Sequence, residues 1–369
     1  MTSTNALDLL ELRVEGLRNL ETANYEFSSG INVVTGDNGQ GKTSLLEAIY
    51  LVATTRSFRT ARLKEVVRHG ADTFVLRGRL RDPASLLTHV RTLRWSGRGV
   101  EVKVDGNKPE SLARFAATAP IVVFHPEELQ LSTGPAALRR RLLDRVAFYA
   151  SPEHSSEVAR FTKGLRARQE LLRRRATEAE LEAYENQLAL LGVRITKRRE
   201  QAAEELGRAT VRALEETATW SELMTLRYRA GGSTEVDSFL SELASRRERD
   251  TRMGAATFGP HRDELELELG GRSARVVASQ GQHRLLALAL KAAERALVAV
   301  RTGMNPIQLL DDVSSELDRD RTAALLRFLR TSEGQVFITT PRGDLFREAL
   351  SDAQFISYYQ VVSGRLESA

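Results

Sequence analysis

Residues 36–43 read Gly36-Asp37-Asn38-Gly39-Gln40-Gly41-Lys42-Thr43 and match the pattern G-x-x-x-x-G-K-[ST] at every fixed position. The apolar, β-branched run Ile31–Thr35 precedes this stretch, and Thr43–Ala53 after it has helical composition. Glycines let the backbone curl so that successive N–H groups surround a phosphate, and a helix N-terminus adds partial positive charge. We therefore predict that all eight residues bind a nucleotide, with Lys42 bridging its outer phosphates and the Thr43 hydroxyl binding Mg²⁺.

A second apolar run, Ile307–Leu310, ends in two carboxylates, Asp311 and Asp312. A carboxylate placed beside a phosphate loop can hold Mg²⁺, directly or through water, and a second one can orient the attacking water. The sequence therefore predicts that Asp311 is a metal ligand. It also predicts that Asp311 and Asp312 act in ATP hydrolysis together with Lys42.

A third motif, Ser279-Gln280-Gly281-Gln282, opens a predicted helix that extends to Val300. The pattern S-x-x-Q predicts a capping box between Ser279 and Gln282. The segment is then either simply a well-capped helix start or a helix N-terminus that also binds a nucleotide phosphate. Both interpretations stay open, and the four residues are candidate nucleotide contacts.

The composition restricts the function classes. The chain has 369 residues, a net charge of +5 and no Cys, which excludes a disulfide scaffold, Cys-ligated zinc and a thiol nucleophile. No signal peptide is recognisable, and the longest apolar stretch, Leu285–Val300, is interrupted by Lys291, Glu294 and Arg295. We expect a cytoplasmic protein without a membrane partner.

Composition also divides the chain. Gly and Pro become sparse between Pro152 and Arg249, where apolar residues recur mostly at spacings of 3, 4 and 7. This predicts a long helix pair and a shorter helix, packed as a small bundle rather than as a coiled coil for a partner. We predict an α/β domain of residues 1–150 plus 254–369 with a helical domain of residues 151–253 inserted into it. Further elements are predicted as strands at Leu10–Val14, Ala23–Phe27, Phe74–Leu76, Val90–Trp95, Val100–Val104, Ile121–Phe124, Leu265–Leu269 and Val336–Thr339, and as a helix at Arg319–Leu329.

The order of the three motifs resembles the ABC-type ATPase head, and Ser314–Asp318 is similar to the D-loop of that family. A helical module between residues 36–43 and residues 279–282 points to the SMC-like branch. Longer blocks are similar to the bacterial RecF family; they are Ser57–Arg59, Phe124–Leu129, Arg139–Asp144, Gly259–Glu264, Ser279–Arg284 and Leu309–Asp318.

This resemblance implies an α/β ABC-type head with an inserted α-helical domain. It implies a DNA-repair ATPase that uses ATP and Mg²⁺ and binds duplex DNA and single-strand/double-strand junctions or gaps. ATP would drive formation of a homodimer, with each nucleotide between residues 36–43 of one subunit and residues 279–282 of the other. Members of the family work with RecR and RecO to place RecA on gapped DNA, so these proteins are the implied partners.

The chain departs from the wider ABC pattern at three positions. Asp312 stands where most ABC heads have Glu, and the shorter carboxylate predicts slow ATP hydrolysis that acts as a timer. The region of Phe124–Pro126 lacks the Q-loop Gln, and Thr339–Arg342 lacks the switch His. These differences favour a slow ATP-timed clamp over a rapid motor.

DNA contacts are predicted from clusters of cations, because phosphate binding needs several positive charges on one face. The candidates are Arg56, Arg59, Arg62, Arg139, Arg140 and Arg141, followed by Lys64, Arg173–Arg175 and Lys197–Arg199. Each cluster by itself favours a solvated helix face over a DNA contact. Arg59 and Arg139–Arg141 lie in the blocks shared with the family, so ATP sensing or a role in the fold is an equal alternative for them. His261, in the block Gly259–Glu264, is either a site residue or a structural histidine.

Two other functions fit parts of the sequence. The nucleotide-binding subunit of a membrane transporter shares the three motifs, but the helical insertion and the Gly259–Glu264 block argue against it. An SMC-like ATPase fused to a nuclease would need a second acidic cluster of metal-site character. The sequence has none beyond Asp311 and Asp312, so no nuclease chemistry is expected.

Overall fold

A computed structural model describes residues 6–82, 85–216, 222–312, 334–343, 346–347 and 356–368. The strands are β1 (Asp8–Glu15), β2 (Ala23–Glu26), β3 (Ile31–Thr35), β4 (Phe74–Arg81), β5 (Thr88–Ser96), β6 (Gly99–Val104), β7 (Ile121–Phe124), β8 (Met224–Arg229), β9 (Glu264–Leu269), β10 (Arg272–Ser273), β11 (Ile307–Leu310), β12 (Val336–Thr340), β13 (Ile356–Val362) and β14 (Arg365–Ser368). The helices are α1 (Lys42–Thr54), α2 (Leu112–Ala117), α3 (Ala136–Ala150), α4 (His154–Arg173), α5 (Glu178–Glu215), α6 (Val236–Ser245), α7 (Arg247–Met253), α8 (Ala274–Val277) and α9 (Gln280–Thr302).

A six-stranded sheet with the order β14-β13-β3-β12-β11-β7 carries the phosphate loop. Its strands from β13 to β7 are parallel, and β14 pairs with β13 as an antiparallel hairpin. The runs of β3, β7 and β11 are almost entirely apolar, as expected for parallel strands that are covered on both faces. Because the strands are parallel, the carboxyl ends of β3, β12 and β11 lie side by side at one edge.

A second, antiparallel sheet has the order β2-β1-β4-β5-β6. Helix α1 packs against β4 and β5 of this sheet and against β7 and β12 of the six-stranded sheet. Its residues are therefore buried on nearly all sides, and Leu45, Leu46 and Ile49 are completely enclosed in the core. The first helix after the phosphate loop is thus held rigidly between two sheets.

Residues 129–297 form a second compact unit, and residues 1–128 and 298–369 form the first. In the second unit, the sheet β10-β9-β8 shares an apolar core with α3, α5 and α9. Helices α4 and α5 pack against each other, and α5 has 38 residues, which corresponds to about 57 Å. A capping box between Thr177 and Glu180 fixes the start of α5.

The structure confirms the α/β fold class and the predicted strands that lie within the described residues. The unit boundaries differ from the predicted ones, because α3 and the segment from Gly254 to Leu297 group with the helices. The region predicted as helical also contains a strand, β8, whose Met224, Leu226 and Tyr228 alternate inward and pair with β9. The predicted helix Arg319–Leu329 and the D-loop-like Ser314–Asp318 lie outside the described residues.

Within the described part of the chain, no helix is long and apolar enough to cross a membrane.

A buried ionic network ties the helices of the second unit together. The guanidinium of Arg168 in α4 donates to Glu185 of α5 at 2.8 Å, to Asp250 of α7 at 2.6 Å and to the carbonyl of Leu243 in α6 at 2.7 Å. Arg168 and Asp250 have no exposed surface. A buried charge that loses its partner is costly, so this network makes the packing of four helices interdependent.

We expect Arg168→Ala to destabilise the helical part of the second unit by roughly 3–5 kcal/mol, because the buried carboxylate of Asp250 loses the guanidinium that pairs with it, while Glu185 keeps its pair with Arg247. Arg173→Ala is the control, since Arg173 and its partner Glu170 are both exposed, and such pairs contribute at most about 1 kcal/mol. Native-state hydrogen exchange of the α4 and α5 amides measures both effects. Equal protection in the two variants would contradict a stabilising role for the network.

Candidate nucleotide-binding site

The phosphate loop, Gly36–Thr43, joins β3 to α1 and depends on glycine at two close approaches. Gly36 has φ 144°, and a Cβ there would lie 2.5 Å from the carbonyl oxygen of Val361. Gly41 has φ 122° and lies against Leu20 and Gly364. The curled backbone that the sequence predicts is therefore present, and side chains at these two positions would disrupt it.

Lys42 lies over its own loop. Its ammonium donates hydrogen bonds to the carbonyl oxygens of Gly36 at 2.6 Å and Asp37 at 2.9 Å. Burial lowers the pKa of Lys42, and the nearby carboxylates of Asp312 and Asp311 oppose that shift. The cation is thus centred where the loop backbone converges, as binding of outer phosphates requires.

Asp311 follows β11 and accepts two hydrogen bonds on one oxygen. The hydroxyl of Thr43 donates to Oδ1 at 2.9 Å, and the hydroxyl of Thr339 in β12 donates to it at 2.8 Å. Burial raises the pKa of Asp311, while the two hydrogen bonds act in the opposite direction. A hydroxyl and a carboxylate in direct contact are oxygen donors of the kind that Mg²⁺ prefers, so Thr43 and Asp311 fit the predicted metal site.

Asp312 adopts a left-handed conformation with φ 48°, and its backbone N–H donates to the Thr339 hydroxyl at 3.0 Å. The completely buried Thr339 therefore contacts both acidic residues. The sequence marked Thr339 only as part of a segment without a switch His. Its contacts depend on β12 lying between β3 and β11, which the sequence pattern does not reveal.

Glu47 on α1 is a further residue that the sequence did not single out. Its fully buried carboxylate accepts two hydrogen bonds from Arg18 at 2.9 and 3.0 Å, one from Ser57 at 2.5 Å and one from Arg59 at 3.4 Å. Arg59 was predicted to contact DNA, but it lies against the helix of the phosphate loop, and its positive charge opposes the rise in the pKa of Asp311 that burial causes. Arg59 therefore belongs to the surroundings of the nucleotide site.

Two distant segments hold the phosphate loop from outside. The side chain of Asn19 donates to the carbonyl of Gly39 at 2.7 Å and accepts from the Ser44 hydroxyl at 2.8 Å. In the turn between β13 and β14, the backbone N–H of Ser363 donates to the Gln40 side chain and that of Gly364 to the Gln40 carbonyl. These contacts join residues that are far apart in sequence, so no local sequence pattern predicts them.

The segment Ser279–Gln282 forms the predicted capping box. The Ser279 backbone N–H donates to Gln282 Oε1 at 2.8 Å, and the Gln282 N–H donates to the Ser279 hydroxyl at 3.2 Å. Gln282 also donates to Glu222 at 2.8 Å. Ser279 and Gln280 are exposed, and Gly281 and Gln282 are half-buried. This confirms the cap, while nucleotide binding by the segment stays a prediction.

The predicted DNA contacts in the second unit differ in exposure. Arg139 is buried, donates twice to Glu264 and donates to the carbonyls of Leu131 and Gly134. Arg140 is half-buried and donates to the Asp263 carbonyl, and Arg141 is exposed. The prediction of a DNA contact for Arg139 is therefore corrected, because its donors are directed inside the unit.

Arg199 is also buried, although Lys197–Arg199 was a candidate cluster. It donates to both oxygens of Asp144, at 2.8 and 2.9 Å, and to Asp263 at 2.9 Å. The Nε2–H of His261 donates to the Ala256 carbonyl at 3.0 Å, and burial lowers the pKa of His261. Arg56 and Arg62 stay exposed, and Arg62 lies 3.8 Å from Glu65.

Comparison with known proteins adds an independent line of evidence. The sequence profile of the RecF/RecN/SMC N terminal domain matches residues 8–365. The chain is 39% identical to the DNA replication and repair protein RecF of Anaeromyxobacter sp. (strain Fw109-5), over 97% of this chain and 98% of that protein. It is 36% identical to the protein of the same name from Myxococcus xanthus (strain DK1622), over 93% of both chains. The chain belongs to the RecF family.

Solved structures agree with this assignment. The recombination mediator protein RecF-ATPrS in the RecFOR pathway superposes with a TM-score of 0.88 at 30% identity and covers both chains completely. The Smc head domain from Pyrococcus furiosus gives a TM-score of 0.55 at 15% identity, over 98% of this chain and 96% of that chain. The second likeness shows that this chain shares the fold of SMC heads. In the described ranges, no group of three or more His, Asp or Glu residues is arranged to hold a metal ion.

We expect Thr339→Val to shift the pH dependence of Mg²⁺-supported nucleotide binding toward higher pH. The variant removes one of two hydrogen bonds that favour the ionised form of Asp311, so the already raised pKa of this carboxyl rises further. Binding that needs the ionised form is then lost at a higher pH during acidification. Thr339→Ser keeps the hydroxyl and should follow the wild type.

Fluorescence titration with an ATP analogue over a pH series measures this shift. If the Val and Ser variants give superimposable pH profiles, the hydroxyl has no influence on Asp311.

Proposed function

We propose that this RecF-family chain is an ATP-dependent DNA-binding recombination mediator. The observation that carries the proposal is the hydrogen bond from the Thr43 hydroxyl of the phosphate loop to the carboxylate of Asp311. This contact occurs in a chain that is similar to RecF proteins over nearly its full length. DNA repair and recombination is the role named for its relatives. The finer proposal is that ATP binding drives dimerisation and engagement of single-strand/double-strand junctions or gaps.

Each part of the nucleotide site has a distinct task in this proposal. The backbone of Gly36–Gly41 and the Lys42 ammonium bind and neutralise the phosphates. Thr43 and Asp311 would hold Mg²⁺, which when bound offsets the negative charge of the phosphates. Asp312 positions the attacking water, and Arg59, supported by Glu47, adds positive charge on the same side of the site.

The exposed helix start at Ser279–Gln282 supports a composite site made from two subunits. Its cap satisfies the first-turn N–H of Gln282 internally, and the positive end of the 23-residue helix α9 faces solvent. We propose that this end meets the nucleotide bound to a second copy of the chain. The dimer would then present DNA to RecR and RecO for placement of RecA.

We expect Lys42→Ala to abolish ATP-driven dimerisation, because the phosphates lose their central cation. Sedimentation velocity with and without ATP and Mg²⁺ measures the association state, and a gapped duplex added to the same samples reports DNA binding. The wild type should dimerise with ATP and bind DNA more tightly. A wild-type chain that stays monomeric and ignores DNA would overturn the proposal.

We expect Asp312→Asn to lower ATP hydrolysis by roughly 10²-fold, since the amide cannot act as a base toward water. ATP binding and dimerisation should persist, because Lys42, Thr43 and Asp311 are unchanged. Single-turnover hydrolysis with and without duplex DNA measures the step, with sedimentation as the control for assembly. Wild-type turnover as fast as that of a motor ATPase would contradict a slow timer.

A further inference from the structure

The five-stranded sheet has an outer face that the proposed function has not used. Its inner face packs on α1, and its outer side chains project into solvent. One row of outer residues crosses all five strands in register, since Asn24 pairs with Arg13, Arg13 with Arg77, Arg77 with Thr92, and Thr92 with Lys103. We call these five residues the cationic row.

Every member of the cationic row carries a hydrogen-bond donor and none is a carboxylate. Three are cations, and all except the half-buried Thr92 are exposed. With strands about 4.8 Å apart, the row is about 19 Å long. Arg, Lys, Thr and Asn are among the side chains that contact phosphate and sugar in protein–DNA complexes. The row therefore offers a line of hydrogen-bond donors to phosphate oxygens.

The acidic residues of the same face lie beside the row, and two of them are paired with arginines, one in the row and one beside it. Glu15 pairs with Arg13 at 2.6 Å, and Glu11 pairs with Arg79 at 3.3 Å. Among the residues that the structure describes, neither Arg77 nor Lys103 has a carboxylate within ion-pair distance. The two cations are therefore available for a ligand.

The pairing register of β1 and β4 has an energetic cost. Arg13 and Arg77 stand directly opposite each other on neighbouring strands, and like charges in that arrangement destabilise a sheet. The Glu15 carboxylate, which pairs with Arg13, offsets part of this repulsion, and a polyanion laid along the row would offset the remainder. A duplex presents one phosphate per 3.4 Å of axis on each strand, so a row of about 19 Å spans several phosphates.

We propose that the cationic row binds the sugar-phosphate backbone of double-stranded DNA. This inference rests on the proposed function, because it assigns a surface to the DNA that the chain is proposed to bind. The contact is to the backbone, so the row contributes affinity and salt dependence without sequence preference.

The test uses the double variant Arg77→Gln/Lys103→Gln in the full-length protein with ATP and Mg²⁺. Binding to a short duplex is measured by fluorescence anisotropy from about 50 to 200 mM salt. Loss of two phosphate contacts should reduce the slope of log K against log salt by about two and weaken binding roughly ten- to a hundredfold. Two unrelated duplex sequences should be affected equally.

Two control variants test whether the effect is specific to the charges of the cationic row. Arg98→Gln/Lys108→Gln removes the same charge from exposed positions of the same unit outside the row, and should keep the wild-type slope. Arg77→Lys/Lys103→Arg keeps the charge and should also keep it. ATP binding should be equal in all variants, which shows that the chain is folded.

The failures of the two proposals are distinguishable. If the wild type binds DNA and the double variant binds with the same affinity and slope, the row is not the DNA surface, and an acidic protein becomes its candidate partner. If the row and control variants weaken binding equally, the effect is general charge and the assignment is also overturned. A wild type that does not bind DNA at all would reject the proposed function itself.

Discussion

The hydrogen bonds to Asp311 are the interaction on which the nucleotide site depends. The carboxylate follows β11, one hydroxyl comes from β12, and the other comes from α1 directly after β3. A buried carboxylate without donors would be strongly unfavourable, so the three elements have to meet at one place. The register of the parallel sheet and the position of the phosphate loop are therefore fixed by the same contacts that bring the two proposed metal ligands, Thr43 and Asp311, together.

In the second unit, buried ion pairs likewise join elements that are separate in sequence. Arg199 of α5 connects Asp144 of α3 with Asp263 near β9, and Tyr228 of β8 donates to Asp263 at 2.6 Å. Arg139 reaches Glu264 in parallel with this network. Two sequence blocks that carry the resemblance to RecF, residues 139–144 and 259–264, are therefore packed on each other. Their roles in this unit are structural, whatever else they do.

Features that depend on a short stretch of residues could be predicted from the sequence. The phosphate loop, the acids after β11 and the capping box each lie within eight consecutive residues, and their spacing alone predicts the contacts. The roles of Thr339 and the Gly364 turn were not predictable, because they depend on strand order and on pairs more than 300 residues apart, such as Gln40 and Ser363. Glu47 was missed because its partners Arg18, Ser57 and Arg59 come from loops on both sides of α1 that meet at its side chain only in the folded chain. Strand β8 was missed because it is short and lies among helices.

The clusters of cations were the least informative sequence signal, and the structure explains why. A guanidinium has five donors, which suits it to buried carbonyls and carboxylates as well as to phosphates. Arg91 is buried and donates to the carbonyls of Val52, Ala53 and Phe115, which closes the end of α1. Arg168 and Arg199 are used in the same way. Clusters in the sequence therefore mix interior and surface cations, and only the strand register separates Arg77, whose side chain faces solvent, from Arg91, whose side chain faces the core.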